Sequence, residues 1–277
     1  MQNIRKWFGG IEMTWPRVLL LAVATAAYTA LINQVPFLYD TSLRDIAVMP
    51  EAWVLFAVFI TINCRTPWEA GLKCFVFFLV SQPLIYLIEV PFSGWEIMGY
   101  YRNWIIPTIL TLPGGAIAWL VKKKGWLGTA VLSVANVGLA ALSVHYADAA
   151  LHSGGHHALS SLFCLGLAVF FTLVLLTEKK HRTAALALIA AVMIGGGAYM
   201  AYGWHNCTAA LELGSGTWSY TATKDGIVSV TVDEDGTAHL KGRRLGSTVL
   251  RFTDAAGKER AFDVTASRGS LWISERE

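Results

Sequence analysis

Four of the chain's seven histidines fall in the thirteen residues HYADAALHSGGHH, His145 to His157. If the stretch is helical through Leu151, His145, Asp148 and His152 stand at i, i+3 and i+7. At ~100° per residue they lie within ~60° of one face. The glycines at Gly154 and Gly155 then let the chain turn and bring His156 or His157 back. Imidazoles and a carboxylate in that arrangement form a donor set for a zinc-like divalent metal. The same histidines could instead make a proton-sensitive loop. The competing reading is a wet connection between two helices, with Ser-Gly-Gly ending the first of them. No HExxH is present, and beyond a zinc-like ion no cofactor is expected.

Glu89, in PLIYLIEVPF, is an acidic side chain inside an apolar run. An ionisable group in a membrane span is a functional hypothesis by default, because leaving it in lipid costs a few kcal/mol. Gln82, two turns earlier, and Tyr86 share its helix face. Together the three could line a polar cavity opening outward, with Arg102 as the natural charge partner. The competing reading is a helix–helix hydrogen bond plus a carboxylate reaching headgroup water just before Pro91. Asn33, Gln34, Asn63 and Asn136 read as polar glue between helices, and Gly195 to Gly197 as a close helix contact. IIPTILTLPGGAIAW, with Pro107, Pro113, Gly114 and Gly115, reads as either a broken span lining a cavity or a kink made for packing.

Sharp catalytic signatures are missing: the chain has no GxSxG, no Walker loop and no cofactor fingerprint. Cys64, Cys74, Cys164 and Cys207 show no CxxC spacing and read as ordinary small residues. The net charge of +3 is too small to suggest nucleic acid.

The elements that would position these residues are membrane spans. Only 15% of residues are charged, against about 25% in a soluble domain, and mean hydropathy is +0.49. Seven stretches approach the ~20 apolar residues that a span needs: 18–38, 49–63, 75–90, 105–121, 127–144, 160–177 and 183–203. The second is the weakest, bracketed by Glu51 and Arg65, and could start earlier or lie tilted. Residues 4–28 have a basic start and small residues, like a secretory signal. The apolar run continues to Leu38, so it reads as a retained first span.

Basic residues set the orientation. Arg5, Lys6 and Arg17 precede the first span, Arg65 and Lys73 follow the second, Lys122 to Lys124 the fourth, and Lys179, Lys180 and Arg182 the sixth. The opposite connections carry Arg44 and Arg102. With seven spans every basic cluster falls on one side, which puts the N-terminus in the cytoplasm and the C-terminal region outside. Trp7, Trp15, Trp68, Trp119 and Trp126 then lie at the inner boundary, and Trp95, Tyr100, Tyr101, Trp104 and Trp204 at the outer one, as aromatic belts do.

From Leu211 the text changes to short alternating runs: TWSYTA, IVSVTV, AHLK, STVLRFT, RAFDVT and SLWIS. Asp-Gly turns at this spacing predict antiparallel hairpins in a small sandwich. Trp218, Tyr220, Val228, Val230, Leu240, Val249, Phe252 and Val264 form its expected core. The stretch DGIVSVTVDEDGTAHLKGRRLGSTVLRFTDAAGKERAFDVTAS resembles a bacterial Ig-like domain of the second BIG type, through its VSV strand, the DGTA turn, the G-ST-V-L strand and the closing DVT strand. The resemblance covers about a fifth of the chain. It implies a bacterial envelope protein and a binding or structural tail without catalytic residues. The region departs from the pattern in standing alone and in the added SRGSLWISERE.

The expected architecture is an α-helical polytopic membrane domain of about seven spans over residues 1–203, a linker at 204–210, and an all-β Ig-like sandwich over 211–277. The short linker would keep the sandwich close to the membrane. Three functions follow. The first is an envelope protein presenting the Ig-like module to an envelope protein or cell-wall polymer. The second is a metal-dependent enzyme on the outer face, using His145, Asp148, His152 and His156 or His157. The third is a transporter or channel built on Glu89, although no internal repeat is visible.

Overall fold

The computed structural model describes residues 8–152, 155–205, 207–244, 246–267 and 269–276, without the side chains of residues 152 and 202–205. Arg5, Lys6 and Trp7, and the side chains of His152 and Trp204, lie outside the described residues. The chain forms two compact units: Met1–Ala147 with His156–Met193, and Asp148–Gly155 with Ile194–Glu277.

The helices are α1 (Trp15–Asn33), α2 (Ser42–Val48), α3 (Pro50–Ile62), α4 (Pro67–Ser93), α5 (Arg102–Ala118), α6 (Trp126–His152), α7 (Ala158–Leu175) and α8 (Lys179–His205). Among the described residues six are long and apolar enough to cross a membrane, α5 together with its flanking 3₁₀ turns, and the bent pair α2–α3 makes a seventh where it is counted as one span. The bend of 45° has a local cause. Pro50 opens α3 and holds Met49 extended, at φ −77° and ψ 159°, because its ring excludes the helical conformation from the residue before it. The weak second span is therefore two helices.

Proline and threonine set the helix starts. Pro16, Pro50 and Pro67 occupy first-turn positions, where no intrahelical N–H is lost. Thr66 accepts the Glu69 N–H at 3.2 Å, and the Glu69 carboxylate accepts the Arg65 N–H at 2.7 Å, a variant of the capping box. α5 runs unbroken through Pro107 and Pro113; Pro107, Gly114 and Gly115 line a cavity, and Gly115 also serves packing. A Cβ on Gly115 would stand 2.9 Å from the Cys74 Cβ and 3.1 Å from the Ala70 carbonyl oxygen. Glycine there lets α4 and α5 approach. Gly195 and Gly197, read as a similar contact, have open space where a Cβ would stand.

Polar bonds tie the helix ends. The Asn63 amide donates to the Phe8 carbonyl at 2.8 Å and accepts from the Ile11 N–H at 3.0 Å. Lys122 and Trp119 donate to the Cys64 carbonyl at 2.7 and 3.0 Å, Lys73 donates to the Met13 carbonyl, and Arg65 pairs with Glu12. Two of the basic clusters, Arg65 with Lys73 and Lys122, are thus joined at one end of the bundle. Deeper in, Asn136 donates to Thr172 at 2.9 Å, and Ser143 and Ser161 each donate to the other's carbonyl, at 2.9 and 2.8 Å.

The C-terminal region is antiparallel throughout. One sheet has the order β1 (Thr208–Glu212), β4 (Thr237–Gly242), β3 (Val228–Val232), and the other β2 (Trp218–Ala222), β5 (Gly246–Asp254), β6 (Glu259–Ser267), β7 (Ser270–Glu275). β1 takes in three residues of the expected linker, and the added tail supplies β7. The DEDG and AAGK turns close the β3–β4 and β5–β6 hairpins, while KDG carries the chain between sheets; Leu245 of RRLG lies outside the described residues. Val228, Val230, Leu240, Phe252 and Val264 are buried as expected, and Leu250 and Phe262 join them. Tyr220 is 43% exposed and Val249 only half-buried. In β5 the inward positions are Thr248, Leu250 and Phe252, so Val249 has the wrong parity for a strand of period two.

Candidate ligand cavity and metal triad

Glu89 sits near the C-terminal end of α4, 3% exposed, on the wall of a cavity of about 430 Å³. Gln82 and Tyr86 line the same cavity, as their spacing on one helix face requires. The carboxylate is held from α1: the Asn33 amide donates to Glu89 Oε1 at 2.7 Å, and the Arg44 Nε–H donates to Asn33 Oδ1 at 3.2 Å. Asn33 is therefore a relay between one buried carboxylate and one guanidinium. Arg44 reaches this point because the chain turns sharply after α1. Asp40 takes a left-handed conformation, φ 57°, which aspartate tolerates better than most residues, and α2 then folds back over the end of α1.

Arg102, the expected charge partner, opens α5 in an exposed position and does not line the cavity. Arg44 takes that place, through a reversal at Asp40 that hydropathy does not register. Tyr39, Trp53, Tyr100 and Trp104 complete the aromatic part of the wall, and the Arg44 guanidinium stands 4.7 Å over the Tyr39 ring. Gln82 is 1% exposed and its Nε2 has no partner among the described residues. An unmade hydrogen bond of this kind costs ~1–3 kcal/mol, so a polar ligand that accepts from Gln82 gains what the apo fold forgoes. The arrangement offers a carboxylate, a guanidinium two hydrogen bonds away, an amide donor and aromatic faces.

The histidine stretch resolves differently from its expectation. α6 does extend through His152, placing His145, Asp148 and His152 on one helix. Yet the only group of three metal-ligating side chains whose donor atoms converge, among the described residues, is Asp45, His156 and His157. His145 is exposed on α6 with its ring against Tyr146, 5.7 Å between centroids. Asp148 is outside the triad, and the His152 side chain is outside the described residues. Two of the five expected ligands are therefore brought together, and the third comes from α2. Asp45 lies 111 positions before His156, and only the packing of α2 on α7 brings it there.

The geometry is tight. Asp45 Oδ2 lies 3.1 Å from His156 Nε2 and 2.8 Å from His157 Nδ1. The two imidazole rings stack 4.2 Å apart and within 12° of parallel. The Ser42 hydroxyl donates to the His156 carbonyl, fixing the turn against α2, and His157 stands at the N-cap position of α7 without a side-chain cap bond. Beyond them Tyr146 stacks on His157 at 5.8 Å and donates to Glu51 Oε2 at 3.3 Å. Glu51 is fully buried and its Oε1 has no partner among the described residues.

The chain matches no protein-family model, no curated protein and no solved structure. The likeness of the C-terminal region to BIG domains rests on its motifs alone.

Proposed function

We propose that this chain is an integral protein of the bacterial cytoplasmic membrane, with its N-terminus in the cytoplasm, that takes a small zwitterionic ligand from the outer side into the cavity around Glu89. The observation that carries the reading is the relay from buried Glu89 through Asn33 to half-buried Arg44, on the wall of a cavity large enough for a small organic molecule. A buried carboxylate is costly in a span and is retained where it serves a site. An ammonium group would meet Glu89, a carboxylate would meet Arg44, and the apolar body would lie against the Tyr and Trp faces.

Membrane insertion is supported by the helix surfaces. Ile106, Ile109 and Leu110 on α5 and Ile194 on α8 are 56–73% exposed, a surface that water disfavours and lipid accepts. The basic clusters joined at one end support the orientation. The C-terminal region is then an Ig-like sandwich on the outer side. Its two sheets also favour a second reading, a scaffold in which this module captures an envelope protein or cell-wall polymer. Deleting residues 211–277 would abolish such capture and leave ligand binding in place.

The ligand reading is tested by thermal unfolding of the detergent-purified protein against a panel of free amino acids, simple amines and simple carboxylates. A zwitterion at ~100 times its Kd would stabilise the fold by about 2.7 kcal/mol. Glu89→Gln would lose that stabilisation while still folding. Equal stabilisation of Glu89→Gln, or none by any zwitterion, would overturn it.

A further inference from the structure

We propose that Asp45, His156 and His157 hold a divalent transition-metal ion of the zinc class, and that this ion pins α2 to the start of α7. The three donor atoms lie within 4.8 Å of one another. Around a tetrahedral zinc with bonds of ~2.0–2.2 Å, neighbouring donors stand ~3.3 Å apart. The separations of 3.1 and 2.8 Å from Asp45 Oδ2 are within about half an ångström of that spacing.

The alternative is an ordinary His–Asp pair, and the hydrogen-bond geometry argues against it. Asp45 Oδ2, His156 Nε2 and His157 Nδ1 are all shielded from solvent, and none makes a hydrogen bond with any described residue. Two ring nitrogens therefore approach one carboxylate oxygen with no N–H in line with it. Buried polar groups are rarely left so. A cation shared after a turn of these side chains would satisfy all three atoms at once, whereas a single proton satisfies two. The rings are stacked and nearly parallel, so their in-plane lone pairs lie in separate planes, and a shared ion requires one imidazole to turn about its side-chain torsions.

Three protein ligands leave a fourth position for water or an incoming group, as in open zinc sites. The site also bears on the cavity. Arg44 precedes Asp45 on α2, so an ion that fixes α2 fixes the wall from which Arg44 addresses Asn33. That consequence rests on the ligand reading above, but the metal site does not.

The test uses the full chain, purified in detergent with its affinity tag removed, loaded with Zn²⁺ or Co²⁺ and desalted. Wild type should retain about one ion per chain. His156→Ala/His157→Ala should lose at least nine-tenths of it, and His145→Ala/His152→Ala should keep it. In Asp45→Cys loaded with Co²⁺, a thiolate-to-cobalt charge-transfer band in the near ultraviolet should appear that wild type lacks. That band reports ligation at position 45 without relying on a loss-of-binding variant. Metal-free wild type, metal kept by His156→Ala/His157→Ala, or no charge-transfer band would each overturn the proposal. Failure of every zwitterion to bind, with the metal results as expected, would remove the ligand reading and leave the metal site standing.

Discussion

Replacing Asn33 by leucine removes both hydrogen bonds of the relay and keeps the side-chain volume nearly constant. Glu89 loses its 2.7 Å donor and Arg44 its 3.2 Å acceptor. A hydrogen bond to a charged group contributes ~1.5–3 kcal/mol. Glu89 is 3% exposed and keeps the full loss, whereas Arg44 can turn toward water and recovers part of its own. The expected destabilisation is therefore about 2–4 kcal/mol, or a fall in Tm of about 5–10 °C. Glu89→Gln should behave in the opposite way. The amide retains an acceptor for Asn33 and removes a buried charge, so Tm should stay level or rise even as ligand binding is lost, the trade-off expected of a functional site. A thiol-reactive fluorescent dye reads both variants, because all four cysteines are buried and unpaired and react only on unfolding. The reasoning is refuted if Asn33→Leu melts with wild type, or if Glu89→Gln falls as far as Asn33→Leu.

Gly115→Val should force α4 and α5 apart and cost about 1–3 kcal/mol, measured by the same melt, whereas Gly195→Val, with open space at its Cβ, should cost far less. In the β region the Arg276 guanidinium holds the Asp263 carboxyl below the usual carboxylate range, and Arg260 does the same for Glu275. A depressed folded-state pKa means that these pairs stabilise above the ordinary carboxylate pKa, about 4, and that the contribution is lost as pH falls below it. Arg260→Ala should therefore narrow the difference in stability between pH 7 and pH 3, by an amount that shrinks with added salt because the groups are exposed. Burial pushes the Cys207 thiol up, and its Sγ contacts the carbonyl oxygens of Ser267 and Ser270 at 3.2 and 2.9 Å. Maleimide labelling at Cys207 should be negligible at pH 7 in the folded chain and complete in denaturant.

Hydropathy and turn chemistry made most of the architecture legible. Long apolar runs located the helices of α1 and α4–α8, and Asp-Gly turns located the β3–β4 hairpin. The α2–α3 pair was obscured because its break is a local effect of Pro50 within a continuous apolar pattern. Helical spacing correctly put Gln82, Tyr86 and Glu89 on one face, since 3.6-residue periodicity is a local property. It could not supply Asn33, Arg44 or Asp45, which reach their partners through tertiary packing. Asp45 carries no local signal of its own: it is an ordinary first-turn acid of a short helix. The i, i+3, i+7 pattern of His145, Asp148 and His152 was a sound statement about a helix face, but a shared face does not make side chains converge. His156 and His157 were reachable because the turn before α7 points them back, and the partner they meet is on another helix.

The proposal that the cavity opens outward is the centre of this account, and thiol labelling of Tyr86→Cys in intact cells tests it most directly. Tyr86 is half-buried and lines the cavity beside Glu89, while the native cysteines are buried. A charged, membrane-impermeant thiol reagent added outside should label Tyr86→Cys, and a bound zwitterion should slow the reaction. Labelling that occurs only after the cells are permeabilised would place the cavity on the other side of the membrane and contradict the account.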